Sequence, residues 1–205
     1  MEVPYLSEGD LRGAASAFLG KHHSSGSRHV PIEEIVEFQL GLDIVPTPGL
    51  LHGRGINGYL SADKTTIYVD HYLFDNVETR YLFTLAHEVG HLVLHGHLYP
   101  ELESEEDWKA FHAELASHTL NSAEYQANSF AGLMLVPEQD LPAAAQECYR
   151  RLAGVVRASY PNVENLLATE AFWDQVAREV ANTFNVSPQT ARIRLENDRL
   201  WQRPF

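Results

Sequence analysis

His87-Glu88-Val89-Gly90-His91 places two imidazoles four residues apart with a carboxylate beside the first. On a helix, residues four apart share a face, so both histidines can reach one metal ion while Glu88 projects beside it. The flanking sequence reads as that helix. From Phe74 to Leu94, the apolar residues Leu82, Leu85, Val89 and Leu92 recur at helical spacing, with Asp75 or Asn76 as the N-cap. The histidines occupy a different stripe from these apolar residues. A stripe of that kind is either a hydrogen-bonded polar face or half of a metal site, and the pairing with Glu88 favours the site.

The chain of 205 residues is long enough for one substantial domain, or for a domain with a small appendage, and 44% apolar content supports a buried core. The H-E-x-x-H pattern, which in zincins binds zinc through its histidines, leads us to expect a zincin-like metallopeptidase domain over 1–155, with a C-terminal helical region over 156–205. No stretch approaches the roughly 20 apolar residues of a membrane span, and Met1 to Asp10 is neither basic nor apolar enough for a secretory signal. The expectation is therefore a soluble, cytoplasmic protein. Its single cysteine, Cys148, cannot form an internal disulfide, which fits a reducing compartment.

A net charge of −13 argues against indiscriminate binding of nucleic acid, because most faces would repel phosphates. The acids are concentrated between Glu101 and Glu114, where Glu101, Glu103, Glu105, Glu106, Asp107 and Glu114 face only Lys109. Such a run reads as a solvated surface, with a contact for a basic partner as the other possibility. Arg192, Arg194 and Arg199 would be the contacts for DNA binding through the tail. Glu196 and Asp198 interrupt them, no basic stripe forms, and direct DNA binding is not expected.

Along the chain, Asp10 to Leu19 reads as a helix and Lys21 to His29 as a loop. Pro31 to Leu40 reads as a second helix, with Ile32, Ile35, Val36 and Phe38 on its buried side and Gly41 at its end. Strands are expected at Leu42 to Val45, closed by Pro46 and Pro48, at Gly58 to Leu60 and at Thr65 to Asp70. An edge strand of this small sheet could hold an extended peptide beside the metal, and Gly53, Gly55 and Gly58 would permit close backbone approach. Asn121-Ser122-Ala123-Glu124 resembles a helix start, for a helix running to about Leu135. Further helices are expected at Glu138 to Leu152, at Glu170 to Phe184 and at Ser187 to Asn197, the last two forming a helix-turn-helix-like region with Ser187 as N-cap. The fold class is α+β, mainly helical, with a small three-stranded sheet beside the metal helix.

A catalytic zinc needs three protein ligands and an open position. Two donors compete for the third place. His97 stands six residues after His91, the third-histidine offset of H-E-x-x-H-x-x-G-x-x-H, but Leu94 occupies the glycine position and should carry the helix onward. Glu124 stands near the start of a separate helix that could pack antiparallel to the first and point at the metal. His95 extends the His87 and His91 stripe but lies too far along a helix to share their ion, since eight residues span roughly 12 Å; it reads as a supporting or surface residue.

The blocks His87-Glu88-Val89-Gly90-His91-Leu92, then Glu124-Tyr125-Gln126-Ala127-Asn128-Ser129-Phe130-Ala131, then Leu133-Met134-Leu135-Val136-Pro137 resemble the ImmA/IrrE-type metallopeptidases, whose signature is H-E-x-G-H, E-x-x-A-N-x-F-A and a hydrophobic run ending in proline. Gly41 to Val45, Gly58-Tyr59-Leu60, Ile67-Tyr68-Val69 and Phe184-Asn185-Val186-Ser187 resemble other elements of that family, so the likeness covers most of Pro31 to Leu195. It implies zinc held by His87, His91 and Glu124, with Glu88 as general base toward water and then acid toward the leaving amine. Manganese or iron also suits a two-histidine, one-carboxylate set. Asn128 could orient Glu124 or tie the two helices together, and Asn128, His118, His112 and His97 are candidates for supporting or oxyanion-stabilising roles. The activity implied is cleavage of a specific regulatory protein, a helix-turn-helix transcriptional repressor, to derepress genes of stress-response, mobile-element or toxin-antitoxin type. The alternative is a non-catalytic, metal-containing module that recognises a repressor or toxin-antitoxin partner.

Overall fold

A three-stranded mixed sheet, short but central, sets the position of everything that matters for the site. The computed structural model describes residues 3–23, 26–97, 117–160 and 163–202, with side chains at 54 and 117–121 left out. In sheet order the strands are β1 (Asp43–Thr47), β3 (Thr66–Asp70) and β2 (Gly58–Leu60). β1 runs parallel to β3, and β2 antiparallel to it. β3 is the buried middle strand, with Ile67 and Val69 fully enclosed. Tyr59 and Tyr68 face each other across the β2–β3 ladder and stack at 4.9 Å between ring centroids. Pro46, expected to close β1, is instead inside it, paired with Val69. An edge strand tolerates this because its outer N–H has no ladder partner to lose.

The first helix, α1 (Glu8–His22), begins earlier than Asp10. Ser7 and Asp10 form a reciprocal capping box that satisfies the exposed N–H groups of the first turn. The second helix is regular only over α2 (Ile32–Glu34) and then widens into a π turn at Ile35–Gln39, closed by Leu40 N–H donating to the Ile35 carbonyl at 2.9 Å. The extra residue in that turn breaks the expected spacing. Ile32, Ile35 and Val36 are buried as predicted, but Phe38 is turned out to 80% exposure. Gly41, at φ 68°, ends the segment in the left-handed region.

The long helix expected from Phe74 is two helices and a π turn. Asp70, not Asp75 or Asn76, caps the chain as it leaves β3, accepting from Tyr72 N–H and starting α3 (His71–Asn76). Val77 is non-helical, and α4 (Glu78–Gly90) then runs beneath the sheet before widening at His91–His95. Its apolar stripe, Leu82, Leu85 and Val89, is buried as the periodicity required. The opposing helix, α5 (Ser117–Leu135), already runs through Ser117, so Asn121 and Ser122 are interior residues rather than its start.

By backbone contacts the chain divides into two compact units, one of 1–26 and 31–134, the other of 27–30 and 135–205. In the second unit, α6 (Leu141–Ser159), the short α7 (Glu164–Leu167), α8 (Glu170–Phe184) and α9 (Pro188–Asn197) follow in order. α6 spans the 155/156 boundary expected from sequence and packs on α8. Trp173, Phe172 and Tyr149 form its aromatic centre. α8 and α9 are joined by a turn in which Asn185 is left-handed and Ser187 caps α9, as predicted. No helix among the described residues is long and apolar enough to cross a membrane.

Candidate metal centre

Three donor atoms converge where α4 meets α5. His87 Nε2 and His91 Nε2 are 2.9 Å apart, and the Glu124 carboxylate oxygens lie 3.3 Å from the first and 3.2 Å from the second. Among the described residues these are the side chains that come together in metal-ligand geometry. The spacing is set by the helices: His87 and His91 are one turn apart on α4, and Glu124 descends on them from α5. Close approach of the helices depends on Gly90, since a Cβ there would meet the Ala127 carbonyl oxygen at 3.1 Å and a Phe130 ring carbon at 3.3 Å.

The hydrogen bonds behind the histidines decide which nitrogens face inward. Asn128 Oδ1 lies 3.1 Å from His87 Nδ1, so that nitrogen carries the proton and Nε2 presents a lone pair. His91 Nδ1 is 3.1 Å from His95 Nδ1, and His95 Nε2 is 2.9 Å from Gln126 Oε1. A proton on His95 Nε2 satisfies Gln126 and leaves His95 Nδ1 to accept from His91, whose Nε2 is then also bare. Two lone pairs and a carboxylate, each about 3 Å from the others, repel unless a cation sits among them. Ligand atoms on a tetrahedral zinc with bonds of roughly 2.0–2.1 Å are about 3.3 Å apart, so the donor set fits such an ion.

The electrostatics ask for the same positive charge. Burial opposes ionisation of Glu124, but the imidazoles of His87 and His91 outweigh it and hold its carboxyl well below the usual carboxylate range. Burial likewise opposes protonation of His87, yet the carboxylates of Glu124 and Glu88 pull its pKa upward. Glu88 is buried, and that burial pushes its carboxyl up toward the neutral form against the pull of His87 and His91. Leu60 N–H, on β2, donates to Glu88 Oε2 at 3.0 Å and fixes where the carboxylate points.

Ser61 N–H donates to the Thr66 carbonyl and Asp70 N–H to the Asn57 carbonyl, so in the alternating ladder Leu60 and Gly58 turn their backbone groups to the outer edge of β2, on which no strand lies among the described residues. Gly58 makes a close approach, for a Cβ there would lie 2.6 Å from the Tyr68 carbonyl oxygen and 2.8 Å from Thr84 Cγ2. Gly53 has open space instead, and Gly55 serves a left-handed turn.

Of the candidates raised from sequence, Glu124 joins the two histidines and His97 does not. Leu94 continues the helix as a π turn, which carries His97 past Gly96 and away from the convergent group. Asn128 contacts His87 rather than Glu124. His95 is enclosed at 1% exposure, behind His91 rather than on the surface. His112 and the acidic run Glu101 to Glu114 lie outside the described residues, as does the side chain of His118. Sequence reasoning missed Gln126 and the Leu60 backbone N–H. A buried glutamine two residues past a ligand carries no periodic signal, and a backbone donor carries none at all. The tail arginines are engaged: Arg192 pairs with Glu170, Asp174 and Glu196 and lies over Trp201, while buried Arg194 pairs with Asp198 and reaches the Val136 carbonyl.

The family model for the IrrE N-terminal-like domain, Peptidase_M78, matches residues 66–196, which include α4, the π turn and α5. The chain belongs to this family. The peptidase name of the family and the His87, His91 and Glu124 cluster together point to a candidate metal centre of peptidase type. Among solved structures, a Mycobacterium tuberculosis transcriptional regulator is similar at 18% identity with a TM-score of 0.55, over 91% of this chain and 46% of that one. That likeness is one of fold, and the chain spans just under half the length of the regulator. A comparison with curated proteins finds no match.

Proposed function

We propose that the protein is a zinc-dependent endopeptidase that cuts a specific regulatory protein, with a helix-turn-helix repressor as its substrate. The observation that carries the reading is the convergence of two bare imidazole nitrogens and a carboxylate beside a buried glutamate. His87, His91 and Glu124 would hold the cation, which supplies Lewis-acid activation of water and of a peptide carbonyl when bound. Two nitrogens and one oxygen suit zinc, with manganese or iron as the competing occupants. Glu88 takes the proton from the attacking water and returns it to the leaving nitrogen. Its burial favours both tasks, because a carboxyl raised toward neutrality is a usable acid as well as a base.

The edge of β2, which no strand covers among the described residues, supports an extended peptide as substrate. Gly58 and the Leu60 carbonyl face that edge beside the Leu60 N–H that holds Glu88, and a peptide can add there as a further strand. Glu124 is half exposed, so the cluster opens to solvent on its side. The net charge of −13 favours encounter with a basic DNA-binding partner.

The test is zinc content of the purified protein, run beside cleavage of candidate repressors by wild type and Glu88→Gln. Near one zinc per chain, with cleavage by the wild type alone, supports the peptidase. Stoichiometric zinc with equal, zinc-independent loss of repressor in both proteins would sink it, and tight repressor binding without cleavage would point to a recognition module.

A further inference from the structure

Behind His91 runs a chain of buried hydrogen bonds that ends outside the site. His91 Nδ1 meets His95 Nδ1 at 3.1 Å, His95 Nε2 meets Gln126 Oε1 at 2.9 Å, and Gln126 Nε2 donates to the backbone carbonyl of Pro4 at 2.8 Å. His95 and Gln126 are 1% and 4% exposed, so water does not compete for the two bonds that join the rings and Gln126 Oε1, while the bond to the exposed Pro4 is half-buried. Each link has one sense. A carbonyl oxygen can only accept, so Pro4 demands the amide nitrogen of Gln126 and thereby turns Oε1 toward His95. Oε1 in turn demands the proton on His95 Nε2, which leaves His95 Nδ1 to accept from His91.

We propose that His95 and Gln126 are positioning residues for the cation site, and that the Pro4 carbonyl sets the direction of the chain. The inference rests on His91 being a ligand. It makes the segment ahead of α1 a part of the metal centre, acting through Gln126. Without Pro4, Gln126 can rotate its amide by half a turn and present N–H to His95. His95 Nε2 must then accept, the proton moves to His95 Nδ1, and His91 is left with its proton on Nε2, where the cation has to bind. His87 is oriented separately by Asn128, so only one of the two imidazoles is affected.

The experiment reads tautomers and affinity on the full chain. Nitrogen-15 imidazole spectra of metal-free wild type should show His91 protonated at Nδ1 and His95 at Nε2. Zinc affinity, measured by competition with a chelator, should fall by about 10- to 100-fold in His95→Phe, as for other partners that orient metal-bound imidazoles. Gln126→Leu should weaken it in the same way, and Gln126→Glu should restore it in a chain without residues 2–6, where a carboxylate accepts from His95 in either orientation and no Pro4 carbonyl faces its second oxygen. A chain lacking residues 2–6, which keeps the Ser7 cap of α1, should lose about tenfold in the wild-type background and nothing in Gln126→Glu. A merely structural role for the segment would lower affinity equally in both backgrounds, and that result overturns the proposal, as does a His91 proton on Nε2 in the wild type. A wild type with these tautomers but no zinc uptake would instead overturn the metal reading on which the proposal stands.

Discussion

Gly90 lies against the backbone of Ala127, with a Cβ position only 3.1 Å from the Ala127 carbonyl oxygen and 3.2 Å from its Cα. α4 and α5 therefore pack at a separation that leaves a larger residue a few tenths of an ångström short of room, and this separation brings Glu124 onto the two histidines. Gly90→Ala must push the helices apart or distort one of them. We expect a loss of about 1–3 kcal/mol in unfolding free energy, the usual cost of overpacking, accompanied by weaker zinc binding. Denaturant unfolding and chelator competition on the same samples check both; unchanged zinc affinity would disconnect the helix spacing from the site.

Glu88→Gln keeps the shape of the side chain and an oxygen for the Leu60 N–H while removing the proton acceptor. Cleavage should fall by roughly 10²- to 10⁴-fold, the range for loss of a general base, with zinc content unchanged. Steady-state rates and metal analysis of the purified variant decide this. Retained activity would move the base to another group.

A cation bound only by the folded chain stabilises it by mass action, by about 2.7 kcal/mol when free metal stands at a hundredfold excess over Kd. The melting temperature should rise with added zinc and return with a chelator, and Glu124→Ala should lose most of the response. Calorimetric scans across a zinc series measure it. An undiminished response in Glu124→Ala would remove Glu124 from the ligand set.

Asp70 accepts from Leu51 N–H at 2.8 Å and Tyr72 N–H at 3.0 Å, and the Leu51 bond foremost lowers its pKa. A carboxyl with a lowered folded-state pKa contributes stability above its unfolded value, near 3.9, and loses it as pH falls through the folded value. Asp70→Ala should cost about 0.5–2 kcal/mol at neutral pH, as for other lost N-caps. Its deficit against the wild type should shrink below about pH 4. Urea unfolding at several pH values tests the sign, and a deficit that grows toward acid would refute it.

The parts legible from sequence were those set by strong local rules. The spacing of His87 and His91, the buried stripe of Leu82, Leu85 and Val89, and the Ser187 cap each follow from helix geometry. What escaped were departures from the 3.6-residue period. Phe38 reads as core because nothing in Ile35 to Gln39 announces a π turn, and the cap reads as Asp75 or Asn76 because no glycine or proline announces the break at Val77. Tail arginines illustrate a different gap. Their charge was visible, but the acids that engage Arg192 come from α8 as well as from its own helix, and only the fold brings Glu170 and Asp174 to it.

The bond between Leu60 and Glu88 joins two things usually considered apart. One is the strand edge along which a substrate backbone would be measured out residue by residue; the other is the carboxylate that would handle the proton of the reaction. With the two tied together at 3.0 Å, a peptide laid along β2 would take its register from the same point that marks the place of the proposed chemistry. On that reading, selection of the scissile bond would be a matter of alignment, ruled off from a fixed origin in the backbone.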